Sequence, residues 1–165
     1  MTAVEPHDGS ARDGDESQDR EHEKPGGDDL DHARILAAGR PTLTGMARRL
    51  VVKVTCGADD AERLSQALTV AATATAYGVD VSLWLTGEAT WLAVPGRVPD
   101  LGLAHAVPLD DLVAAVLGGG RITVCTQCAA RRGITVDDLV DGARIAGAAS
   151  FVAEALGEDV QALVY

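Results

Sequence analysis

From residue 49 onward the apolar positions alternate between two rhythms, one of strand and one of helix. Residues 50–55 form a continuous β-branched run of strand length, apolar enough to be buried on both faces. After Cys56 and Gly57, Asp59 or Asp60 supplies a helix cap. Leu64, Ala67, Leu68, Ala71 and Ala74 then recur at helical spacing until Gly78 stops the element. Residues 79–85 read as a second strand, so strand, helix and strand make one βαβ unit with a right-handed crossover. Residues 86–96 are a loop or short helix holding Trp91, and residues 98–107 carry the weakest pattern, with a short strand expected at 104–107. Pro108 opens a helix to about Leu117, with Asp110 and Asp111 in its first turn, where carboxylates suit the helix dipole.

The pattern sharpens again at residues 121–133. Arg121–Cys125 reads as a short buried strand ending in a cysteine. One or two helical turns follow, carrying Cys128, Arg131 and Arg132, and Gly133 stops them. Thr135 and Asp138 resemble a capping box, which predicts a helix to about residue 143. Residues 144–156 predict a further helix ended by Gly157, and residues 160–165 a closing strand. The alternation argues for a three-layer α/β/α domain, built on a mainly parallel sheet of about five strands and spanning residues 49–165.

Composition separates that domain from what precedes it. The chain has 165 residues and a net charge of −11, yet residues 1–31 hold 11 of its 25 acidic and 3 of its 14 basic residues. Nearly without apolar side chains, the segment cannot offset its own ordering entropy, so residues 1–48 are expected to be a disordered acidic tail. His7, His22 and His32 are scattered there without metal-ligand spacing. No basic stripe exists to meet a phosphate backbone, which argues against direct nucleic-acid binding. No apolar run reaches membrane-spanning length, and residues 1–9 lack the apolar core of a signal peptide. Three cysteines, an odd number, are no disulfide framework. The expected setting is a reducing cytoplasm with no membrane contact.

In open α/β sheets chemistry gathers beyond the carboxyl ends of the strands. Cys56 and Cys125 both fall there. A thiol between a strand's end and a helix's start is drawn toward thiolate by helix amides and neighbouring cations, which makes Cys125 the expected nucleophile. Cys56 reads first as a small core residue. The Cys125-x-x-Cys128 spacing fits three chemistries: dithiol–disulfide exchange, half of a zinc site needing Cys56 and His105, or one reactive thiolate with Cys128 as an accessory. Spacing does not separate the first from the last. Arg131 and Arg132 suit a helix C-terminus, or the steering of an anionic persulfide or partner. Trp84 and Trp91 read as packing residues and His105 as a structural or surface residue. Phosphate-loop, GxSxG, HExxH and GxGxxG patterns are missing.

The residues 124–134, together with 50–89 and 143–165, resemble the DsrE/DsrF-like family, of the TusD/DsrE sulfur-relay type. The shared feature is a strand-ending cysteine followed shortly by basic residues and a glycine, and Cys125 falls on the family's sulfur-accepting position. The resemblance covers roughly residues 49–165. It implies a parallel α/β/α fold and a persulfide carried on Cys125. It also implies a protein sulfur donor and acceptor, with assembly into homo-oligomers (trimers or hexamers) or hetero-oligomers of related subunits. Such chemistry needs a nucleophilic, accessible thiolate and no metal or cofactor. Cys128 and Cys56 are additional thiols, and a thiol beside Cys125 would discharge its persulfide as a disulfide plus sulfide. Two other readings stand beside the carrier: a CxxC dithiol–disulfide reductase, and a non-catalytic homo-oligomeric assembly module with buried thiols.

Overall fold

A computed structural model describes residues 49–165. The expectation of a disordered tail over residues 1–48 lies outside the described residues. Five strands, β1 (Arg49–Val54), β2 (Asp80–Leu85), β3 (Arg121–Cys125), β4 (Ala143–Ala146) and β5 (Val160–Val164), form one sheet in the order β4-β3-β2-β1-β5. Every pairing is parallel. The four α-helices are α1 (Ala61–Ala76), α2 (Leu109–Leu117), α3 (Thr126–Arg132) and α4 (Ala148–Ala155).

The strand order explains where the helices go. From β1 to β4 the chain steps steadily across the sheet in one direction, so right-handed crossovers put α1, α2 and α3 on one face. From β4 to β5 it travels back past β1, and the same handedness puts α4 on the other face. The first face is apolar throughout. Val52, Val54, Val81, Leu83, Leu85, Ile122 and Val124 form one buried cluster with Leu64, Leu68 and Ala71 of α1 and Leu112, Val113 and Val116 of α2. The second face carries Lys53, Ser82, Trp84, Thr123 and Arg144 beneath the single short helix α4. Alternation along each strand separates the two sets.

α1 begins as the sequence requires, with the Asp60 side chain accepting from the Arg63 amide at 3.3 Å. Three expectations are corrected. Residues 144–156 are not one helix: Ala143–Ala146 pairs with β3 as a strand, extended Gly147 interrupts, and only then does α4 start. The capping box of Thr135 and Asp138 is present, but it closes a single 3-10 turn (Val136–Asp138) rather than a helix. Leu139 turns extended, and the Val140 amide is taken by the Ala93 carbonyl at 2.8 Å. Residues 104–107 form no strand, and His105 there sits at φ 62° on an exposed turn. The strand count of five stands, with β4 replacing the segment at 104–107.

Candidate functional site

Between β3 and β4 lies the point where the chain reverses its direction across the sheet. α3 leaves β3 toward one face and α4 leaves β4 toward the other, the arrangement that opens binding crevices in parallel sheets. Cys125 ends β3 at that switch point, paired in register with Ala146, and it is half-buried. α3 follows it without a linker, so Cys125 occupies the position just before the helix. A left-handed Gly133 at φ 66° stops α3, as the sequence predicts.

This seating decides the state of the sulfur. Burial pushes the Cys125 thiol up. The Cys128 amide, the Cys128 thiol, the Gln127 amide and the charge of Lys53 together outweigh burial and hold it below the ordinary cysteine value. Cys128 is buried one helical turn on, and its sulfur accepts the Gly87 amide at 3.2 Å. Gly87 can serve there only as glycine: its φ is +54°, and a Cβ would stand 2.4 Å from the Thr55 carbonyl oxygen.

Cys56 shares the carboxyl edge of the sheet, as expected, but not the chemistry. It is buried, and burial raises its thiol, with Asp60 and Asp59 nearby adding to the rise against Arg63. The two arginines separate as well. Arg132 is engaged structurally, donating to the Cys128 carbonyl at 3.2 Å and pairing with Glu88 at 2.6 Å, which ties α3 to the turn after β2. Arg131 is exposed. Trp84 is a packing residue, fully buried, and its indole N–H also donates to Glu154 at 3.0 Å. His105 stands on its exposed turn, and among the described residues no three His, Cys, Asp or Glu side chains gather as metal ligands.

Sequence reasoning missed the polar face under α4. Glu154 accepts from the Ser82 hydroxyl at 2.6 Å and from Trp84, and pairs with Arg144. Arg144 in turn donates to the Thr123 hydroxyl at 3.0 Å. Burial pushes the Glu154 carboxyl up, but the Ser82 and Trp84 hydrogen bonds and the Arg144 guanidinium bring it below the usual carboxylate value. A signal did exist: Lys53, Ser82 and Thr123 interrupt otherwise apolar strands at alternate positions of one face.

Among the described residues no helix is long and apolar enough to cross a membrane. No curated protein matches the chain. Among the solved structures that share its fold are the ychN protein from E. coli, with a TM-score of 0.60 at 19% identity, and MTH1491 from Methanobacterium thermoautotrophicum, a protein of unknown function, with a TM-score of 0.52 at 15% identity. Each likeness covers 71% of this chain and 98% of the other. The sequence profile of the DsrE/DsrF-like family matches residues 48–160, from the start of β1 through the cysteine-bearing turn and α4. This chain belongs to the DsrE/DsrF-like family.

Proposed function

We propose that the protein carries sulfane sulfur as a persulfide on Cys125 and relays it from a donor protein to an acceptor protein. The observation that carries this reading is the seating of Cys125. It is a partly exposed thiol that ends a strand of a parallel sheet at the very start of a helix, and the helix start and Cys128 hold it below the ordinary cysteine value. Family membership adds weight to it. The Cys125 thiolate attacks the terminal sulfur of the donor persulfide. The new sulfur–sulfur bond forms as the donor thiolate leaves with the electron pair of the old one. An acceptor thiolate repeats the exchange on Cys125, so the sulfur moves without net oxidation. The amides of Gln127 and Cys128 and the Cys128 thiol stabilise the anion that attacks and leaves. The reading assigns the chemistry to residues 49–165, in a reducing cytoplasm. It leaves the acidic segment 1–48 outside the domain and takes the working form to be a homo-oligomer or an assembly with related subunits.

A second reading has its own observation: Cys128 is buried one helical turn beyond Cys125, and its thiol is among the groups that lower the Cys125 thiol. Attack of a Cys128 thiolate on the inner sulfur of a Cys125 persulfide forms a Cys125–Cys128 disulfide and releases sulfide, taking two electrons from the thiols to the departing sulfur. Intact mass after incubation with a cysteine persulfide donor separates the two. The carrier gains the mass of one sulfur atom, removable by reductant, and Cys128→Ser still gains it. The self-resolving form loses two hydrogens instead, and Cys128→Ser converts it to a carrier. Equal sulfur loading of Cys125→Ser would sink both.

A further inference from the structure

We propose that Lys53 is a positioning residue for Cys125, its ammonium supplying the fixed positive charge that holds the thiolate, and any persulfide formed on it, in the anionic form. The inference rests on Cys125 as the reactive thiol and deepens the account of that site. Lys53 is the only lysine in residues 49–165. It stands in one row across the sheet, paired in register with Trp84, which pairs with Thr123, which pairs with Arg144. Cys125 is two residues beyond Thr123 on β3. It therefore lies on the same face, one repeat nearer the carboxyl edge.

Charge on this face leaves Lys53 unmatched. Arg144 from β4 and Glu154 from α4 neutralise each other, and the carboxylate's remaining capacity goes to Ser82 and Trp84. Among the described residues Lys53 pairs with no carboxylate. Its ammonium rests 4.8 Å from the centre of the Phe151 ring, and that ring meets Trp84 edge-on at 5.4 Å. An aromatic face holds a cation in place without cancelling its charge. The groups that act on Cys125 are thus Lys53 from β1 and Cys128 and the Gln127 amide from α3, with the Arg144–Glu154 pair electrically balanced beside them. The attraction of Lys53 for the Cys125 thiolate is in keeping with this placement. A lysine whose only role was to cover Phe151 with its methylenes would leave the thiol indifferent to its charge.

The test is the pH dependence of Cys125 alkylation by iodoacetamide, followed by peptide mass spectrometry on the full chain, with no sulfur donor present. Lys53→Met keeps the stem over Phe151 and removes the charge. It is expected to move the inflection upward and to slow alkylation at neutral pH roughly two- to tenfold. Lys53→Gln should do the same, Lys53→Arg should restore the wild-type inflection, and added salt should narrow the gap between Lys53→Met and wild type. A wild-type inflection in either uncharged variant that retains the native circular dichroism overturns the proposal. So does Lys53→Arg titrating like Lys53→Met. Sulfur loading is read separately by mass. A Cys125 that shifts with Lys53 yet never loads sulfur removes the carrier reading and leaves Lys53 its role.

Discussion

Cys56 and Cys125 stand at the ends of two parallel strands of one sheet, on the same edge, and their thiols are driven in opposite directions. The difference lies in the next few residues. After Cys125 the helix begins at once, and the amides of Cys128 and Gln127 at its start lower the thiol. After Cys56 the chain passes through a 3-10 turn (Ala58–Asp60) before α1 begins. The amide just before that turn, from Gly57, is taken by the Asp59 carboxylate at 2.7 Å. Burial does most to make a thiolate at Cys56 costly, and the carboxylates that cap and charge the start of α1 add to it. A strand end in a parallel sheet is thus a place where chemistry can be built. The direction in which a thiol there is driven follows from its burial, from the helix start and from the sign of the nearest charges.

The contrast is most directly broken by alkylation of the native protein. With one thiol below and one above the ordinary value, and Cys56 buried as well, Cys125 should react roughly a hundredfold faster at neutral pH. Its rate should level off below the pH at which an ordinary cysteine does. Equal rates, read by peptide mass spectrometry, would erase the distinction and favour an assembly module with inert thiols. A smaller effect is expected at Gly87, whose loop presents its amide to Cys128. Gly87→Ala sets a Cβ against the Thr55 carbonyl in a left-handed conformation. The cost should be roughly 1–3 kcal/mol, with a thermal midpoint lower by roughly 5–15 °C by circular dichroism. An unchanged midpoint would mean that the tight turn behind Cys128 is not required.

The smallest effect concerns the polar face behind Cys125, which has no counterpart behind Cys56. Glu154→Gln leaves Arg144 without its charge partner and should cost about 1–2 kcal/mol at neutral pH. Because the folded carboxyl lies below the ordinary glutamate value of about 4.3, its contribution is full above that pH and is lost as pH falls through the folded value. Wild type and variant should therefore converge in urea unfolding only under acid conditions. A gap that is the same at neutral and acid pH would remove the carboxylate's charge from the account.

Much of this was legible in the sequence, and the reasons differ from element to element. The apolar runs of β1 and β3 and the spacing of Leu64, Ala67, Leu68 and Ala71 belong to the apolar face, where local pattern and tertiary burial agree. Cys125 could be located because a strand signal and a helix signal meet at it. β4 was hidden because Ala143–Ala146 has no strand preference of its own. Its extended form comes from pairing with β3, which no local window contains. The helix expected after Thr135 failed for a similar reason, since a carbonyl from Ala93 claims the Val140 amide. The network of Ser82, Trp84, Thr123, Arg144 and Glu154 joins positions as far as 72 residues apart, and only the topology gathers them.

The return of the chain across the sheet also sets an order of assembly. β5 completes β1 from far downstream, and the Thr55 hydroxyl closes onto the Tyr165 carbonyl across 110 residues. Contacts so distant in sequence form late, because the loop that joins them must close first. α4 is carried over Lys53 by that same segment, so Phe151 takes its place beneath the ammonium only when the chain has come back to β1. The ring that seats the Lys53 ammonium is thus delivered by the same segment that completes the sheet at β1.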